Sequence, residues 1–297
     1  MIPLWPLVTV AAAGLQTARN ATQSGLTARI GTIGATQVRF LFGLPFAVLF
    51  LLAAAWLSGQ QIPVPGADAL GFATLGGLSQ IAATALMLLV MKTNGFGIST
   101  AWLKGEPVIV ALIGWAVLGD PLTAPMLAAI LVAVLGVLIL SVRPGTGAQL
   151  AQLRPAFLGL LAGAGFGLSA IGFRGGVNAL DSGDFLIRAL TLLVVSLAIQ
   201  SAVLMVWMLL FDRRALVGSL GAWRPSLAAG VLGAAASACW FMGFALTSAA
   251  NVRTLALIEV VFALMVARWH FRQKITPRQL AGILVLLAGV GLLLTQS

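Results

Sequence analysis

Apolar stretches of about 20 residues recur from one end of the chain to the other, broken only by glycine, proline or isolated charges. That is the length an α-helix needs to cross roughly 30 Å of hydrocarbon. Ten such segments are predicted, at 3–22, 33–57, 69–91, 97–118, 122–142, 155–177, 184–210, 226–247, 250–271 and 277–295. The joins are short. The longest, about 56–68, 143–154 and 211–225, are too small to hold a soluble domain. The predicted fold class is all-α integral membrane with ten transmembrane helices, and any activity belongs to the helical bundle.

Composition agrees with a lipid setting: 60% of residues are hydrophobic, 8% are charged, and the mean hydropathy is +1.07. The formal net charge of +10 is spread as single residues between apolar runs. No patch or stripe follows a phosphate backbone, so nucleic acid is not an expected partner and the lipid bilayer is. The single cysteine, Cys239, lies inside an apolar run and is expected to pack there, leaving no disulfide framework and no thiol metal site. The first ten residues, MIPLWPLVTV, carry no Lys or Arg before the apolar stretch, unlike a secretory signal, and the first segment is expected to be retained.

A shift of 153 residues lays 104–141 over 257–294 without a gap, bringing Glu106 onto Glu259, Thr123 onto Thr276, Leu127 onto Leu280 and Gly136 onto Gly289. With a slightly different offset Arg39 corresponds to Arg188. The repeat unit is therefore five helices, 1–148 and 149–297. An odd number of crossings inserts the second copy upside down, which is the inverted repeat of many secondary transporters. Positive charge tests orientation, because Lys and Arg accumulate on the cytoplasmic side of short loops. Arg19, Arg29, Lys92, Arg143, Arg154, Arg213, Arg214, Arg224, Arg268, Arg272, Lys274 and Arg278 follow odd-numbered segments. This bias places those loops in the cytoplasm and both termini outside.

Arg39-Phe40-Leu41 at the head of the second segment, and EPVIVALIGWAVLGDPLT at 106–123 followed by a glycine-bearing apolar segment, resemble the EamA-type branch of the drug/metabolite transporter superfamily. The resemblance covers nearly the whole chain. Its motifs are a Glu-Pro helix head and the turn Gly119, Asp120, Pro121, Leu122, Thr123. The second copy departs from both, with Val260 after Glu259 and with Arg272, Gln273, Lys274, Ile275 and Thr276 in place of the turn. The resemblance implies transport of a small solute, with substrates ranging over amino acids, other metabolites, sugar derivatives and drugs. It also implies termini in the cytoplasm, against the charge count.

Charge within a bilayer costs at least a few kcal/mol and so faces a partner or a watery cavity. That makes Arg39, Lys104, Glu106, Arg174, Arg188, Arg253 and Glu259 the first site candidates. Pro107 removes a backbone donor and Gly105 loosens the turn before it, so backbone groups there become free to line a cavity. A carboxylate at Glu106 or Glu259 has two readings. It binds a proton or a cationic amine, giving proton coupling, or it pairs with arginines such as Arg39 and Arg188 and holds helices together. The excess of cations favours an anionic or zwitterionic small-molecule substrate, with Arg39 and Arg188 as anchors and Arg174 and Arg253 reaching the interface. Gln16 and Asn20, beside Arg19, make the first segment polar enough to line a cavity. Trp102 and Trp115 stack on a substrate or mark the interface, and His270 is expected at the interface. Gly159, Gly163 and Gly167 lie on one helix face and are expected to allow close packing.

One histidine, one cysteine and no carboxylate pair at metal-ligand spacing argue against an enzyme, and no cofactor is expected. A lipid or lipid-linked-sugar flippase is the nearest alternative, and a non-transporting scaffold is another. The reading adopted is a secondary transporter of the bacterial inner membrane, monomer or homodimer, moving an amino acid or organic anion or zwitterion by alternating access. The outward direction is implied by the resemblance alone.

Overall fold

A computed structural model describes residues 3–94, 103–141, 153–269 and 276–296. These residues are helical with short connections, and no strand occurs among them. In chain order the helices are α1 (Leu4–Leu41), α2 (Leu44–Ser58), α3 (Ala67–Asn94), α4 (Glu106–Leu118), α5 (Ala124–Ser141), α6 (Leu153–Asn178), α7 (Phe185–Phe211), α8 (Arg213–Gly221), α9 (Trp223–Leu246), α10 (Ala249–Leu255), α11 (Glu259–Trp269) and α12 (Pro277–Leu294). Six stretches within them are long and apolar enough to span a bilayer, and α4 and α5 contribute shorter apolar helices. The chain is a multi-pass membrane protein; the described residues do not establish the count of ten crossings.

Local sequence sets the helix ends. Gly43 precedes α2, Pro45 opens it where a missing N–H costs nothing, and Gly59 closes it in the left-handed region at φ 66°. Helix α4 repeats the pattern, with Gly105 before it, Pro107 in its first turn and Gly119 after it, again at φ 66°. Asp184 caps α7 by accepting from the Ile187 N–H, and Thr276 with Gln279 forms a capping box on α12.

Compactness divides the chain into two units, each drawing on both sequence halves: residues 1–78 with 172–246, and 79–171 with 247–297. Helices α3 and α6 contribute to both.

In the first unit α1 packs along α9. A straight 38-residue helix is about 57 Å long and would hold Arg19 and Arg39 about 30 Å apart, beyond the reach of two side chains. Both nevertheless come within 4 Å of the point where a Gly233 Cβ would sit. The helical run therefore doubles back between them, and its two arms fall in the segments predicted at 3–22 and 33–57. Fully buried Val38 meets Ala229 beneath Phe42. Polar clasps supplement this packing: Gln37 Nε2 donates to the Ser201 carbonyl and Gln200 Nε2 to the Gly77 carbonyl, both buried. Such groups bind helices together where lipid offers no other partner.

In the second unit α5 and α12 cross at glycines. A Cβ on Gly136 would stand 2.7 Å from Leu286 Cα and 2.9 Å from the Gly282 oxygen. One on Gly289 would stand 2.7 Å from Ala133 Cα and 2.9 Å from the Ala129 oxygen. A shift of 153 residues turns Gly136, Ala133 and Ala129 into Gly289, Leu286 and Gly282. The crossing is thus reciprocal, each repeat offering its glycine to the backbone of the other. On the glycine face of α6, Gly163 packs against Leu103 and Glu106, and Gly167 against Val110.

Candidate functional site

Both glutamates stand at helix heads in the second unit. Lys104 and Gly105 form a turn after helical Leu103, and Glu106 is the first residue of α4, whose 13 residues cover about 20 Å, less than the hydrocarbon thickness. The second copy is broken as well. Helix α10 ends at Leu255, Ala256–Ile258 tighten into one 3₁₀ turn, and α11 begins at Glu259. This break sits midway along a 21-residue run from Ala249 to Trp269 that the sequence predicts as one continuous segment. No glycine or proline marks it. At the head of α4 the helix dipole favours a carboxylate, whereas the Glu259 N–H is already bonded to the Ala256 carbonyl within the 3₁₀ turn.

The carboxylates are paired across the repeats. Arg253 of α10 donates Nε to Glu106 Oε1 at 2.6 Å and Nη2 to Oε2 at 2.8 Å, a two-pronged contact that uses the planar guanidinium fully. Lys104 Nζ donates to Glu259 Oε1 at 2.7 Å. The two carboxylates differ in exposure, Glu106 at 10% and Glu259 at 28%, while their cations differ the other way, Arg253 at 24% and Lys104 at 13%. The expected partners were Arg39 and Arg188; the observed ones are Arg253 and Lys104. Arg253, expected to reach for the interface, is instead turned inward to Glu106.

The polar residues of the first segment gather in the first unit. Gln16 Oε1 accepts from Trp240 Nε1 at 3.1 Å, and Asn20 Oδ1 accepts from Arg19 Nη2 at 2.7 Å. Arg19 is only 5% exposed, so it is no loop charge and drops out of the orientation count. The Arg39 guanidinium lies 5.1 Å from the centre of the Phe40 ring. Arg174, also expected to reach for the interface, is half-buried and donates to the Phe244 carbonyl at 2.8 Å.

Arg188 occupies the first turn of α7, half-buried, near the cap residue Asp184. The Ile187 N–H holds the exposed Asp184 carboxyl below the usual carboxylate range, with Gln60 and the Arg188 charge acting in the same direction. The Asp184 N–H also donates to Gln60 Oε1 at 2.8 Å, tying the loop after α2 to the loop before α7. Trp115 is 60% exposed, on the outer face of α4. Trp102, His270, Arg143, Arg272 and Lys274 lie outside the described residues.

Sequence reasoning missed Arg253 as the partner of Glu106, the burial of Arg19, and the role of Trp240. The excess of membrane cations over acids was a signal for the first, since each buried carboxylate requires one of them. Nothing in residues 223–246 marks Trp240 as the one tryptophan that meets Gln16.

No curated protein matches the chain in sequence. A solved structure described only as "Crystal structure of protein" is similar to it in fold, with a TM-score of 0.68 and 13% identity, over 99% of this chain and 98% of that one. The sequence model of the EamA-like transporter family matches residues 4–142 and matches again at 153–295. With both stretches matched and the charged helix heads lying inside them, the chain belongs to the EamA-like transporter family.

Proposed function

We propose that this protein is a secondary transporter that carries a small metabolite, of the amino acid or organic anion and zwitterion class, outward across the bacterial cytoplasmic membrane by alternating access. Two inverted five-helix repeats, 1–148 and 149–297, supply the symmetry that lets one site open to either side in turn. The carrying observation is the pair of glutamates at interrupted helix heads, each held by a cation from the other repeat. An ion pair that merely fastens helices needs no break in the helix beside it. Broken helices in hydrocarbon persist where they line a cavity.

In this reading the bidentate Glu106–Arg253 pair is the fixed post, and the Lys104–Glu259 pair, made through an ammonium hydrogen bond, is broken and remade during the cycle. Glu259 also carries the coupling proton. The test is counterflow in proteoliposomes with radiolabelled amino acids, organic acids and amines, at pH values from 5 to 8. A solute exchanged by wild type and not by Glu259→Gln supports the reading. Failure of every solute class sinks it, and exchange indifferent to pH removes the proton.

A further inference from the structure

We propose that α8 and the residues flanking it bind the phosphate headgroups of anionic phospholipids. Helix α8 joins α7 to α9, and both of those contain a stretch long and apolar enough to span a bilayer. Its nine residues cover about 14 Å, too short to cross, so α8 lies at the end of the bundle where headgroups begin. Leu216 and Ser219, three positions apart, are buried and turn one face of α8 to the protein. Another face, made by Arg213, Val217 and Leu220 at helical spacing, is exposed.

Three exposed arginines mark this surface: Arg213 and Arg214 at the head of α8, and Arg224 just beyond its end. Two of them are held in place. Arg213 Nε donates to the Leu209 carbonyl at 2.9 Å, in the last turn of α7, and the Arg224 guanidinium lies 5.3 Å from the centre of the Trp223 ring. The one acid between 210 and 225, Asp212, directs its carboxylate to the Ala215 N–H as the cap of α8. The excess charge is therefore positive, and the planar fork of arginine suits phosphate oxygens. Around the arginines stand exposed Leu210, Phe211, Val217, Leu220 and Trp223. Water would hydrate the arginines and reject that apolar surface; hydrocarbon would do the reverse. The boundary of the bilayer takes both, with the apolar side chains in the acyl region and the guanidiniums among the headgroups. A zwitterionic headgroup brings its own cation, so three arginines complement a lipid of net negative charge better.

This site stands apart from the transport reading, so its test needs no substrate. Purified full-length protein in detergent is offered phosphatidylglycerol or phosphatidylcholine, and native mass spectrometry counts the lipids that stay bound. In parallel, its melting temperature is followed in phosphatidylcholine nanodiscs with a rising share of phosphatidylglycerol. The expected result is preferential retention of phosphatidylglycerol and a melting temperature that climbs to a plateau. Arg213→Gln, Arg214→Gln and Arg224→Gln should each weaken the apparent affinity about fivefold, the worth of one arginine at an anionic surface. Rising salt should weaken it in wild type as well. Arg278→Gln removes the same charge from the head of α12, outside this face, and should behave like wild type.

Arg214→Lys, which keeps the charge and loses the fork, should fall between wild type and Arg214→Gln, and it serves where a glutamine variant does not fold. Equal retention of the two lipids overturns the proposal, as does a response unchanged in all three glutamine variants. A loss in Arg278→Gln as large as in the others would reduce the effect to net charge and overturn it too. Inorganic phosphate that displaces phosphatidylglycerol at equal concentration would make this a site for soluble anions and not for lipid. Variants that change the oligomeric state while lipid retention stays as in wild type would assign the face to a second copy of the chain, against the proposal.

Discussion

Arg253 holds both carboxylate oxygens of Glu106, at 2.6 and 2.8 Å, across 147 positions of sequence. Glu106 is the first residue of α4 and Arg253 belongs to α10, so this contact joins the two repeats within the second unit. Lys104 and Glu259 join them a second time, in the opposite sense, with the cation from the first repeat.

Unequal geometry of these pairs, two-pronged at Glu106 and made through one ammonium nitrogen at Glu259, predicts unequal costs. Glu106→Gln leaves the Arg253 charge poorly matched in a buried setting, and a loss of about 3–5 kcal/mol is expected. Lys104 meets Glu259 through an ammonium hydrogen bond and not a two-pronged fork, and Glu259→Gln is expected to cost less, about 1–3 kcal/mol. Thermal or chemical denaturation in mild detergent measures both. Equal losses would refute the assignment of Glu106–Arg253 as the fixed post.

The reciprocal crossing of α5 and α12 predicts that Gly136→Val and Gly289→Val are each destabilising, by roughly 2 kcal/mol or more, because any Cβ there meets backbone that has no flexible end to move. Since the contacts are symmetric, the two losses should be similar. Gly291→Val, at a position with nothing within 4 Å, is the control and should melt like wild type apart from a small helix-propensity term.

At Gly119 the constraint is in the backbone alone, with φ at 66° and open space around the position of a Cβ. Gly119→Val should cost about 1–2 kcal/mol, whereas Gly119→Asn, which tolerates the left-handed region, should cost less. A valine variant as stable as wild type would show that α4 ends differently in the membrane.

Asp184 predicts a pH effect. Its folded carboxyl is held below its unfolded value, chiefly by the Ile187 N–H, so its contribution is fully present above the ordinary carboxylate range and fades as pH falls through the lowered value. Asp184→Ala should therefore lose about 1 kcal/mol at pH 7, the usual worth of an N-cap, and the gap to wild type should close below about pH 4. A gap that stays constant down to pH 3 would contradict the capping role.

Much of this was legible in the chain because it rests on local rules. Hydropathy over 20 residues marks the bilayer crossings whatever packs beside them, and Gly43, Gly59, Gly105, Pro107 and Gly119 set helix ends through backbone sterics alone. The 153-residue shift, read from Glu106 and Glu259, also picked out Gly136 and Gly289, whose meaning appears only when α5 and α12 cross. Tertiary structure decided the rest. Which cation meets which carboxylate depends on the crossing of helices far apart in sequence, so Arg253 and Lys104 took the places expected for arginines such as Arg39 and Arg188. A break at Ala256–Ile258 has no glycine or proline to announce it. The burial of Arg19 and its meeting with Arg39 follow from a turn-back of α1 that places them against one glycine of α9. The order of apolar and charged residues determined that this chain is a repeated membrane bundle; the pairing of its few charges was left to packing, because in hydrocarbon a charge settles where a partner can reach it.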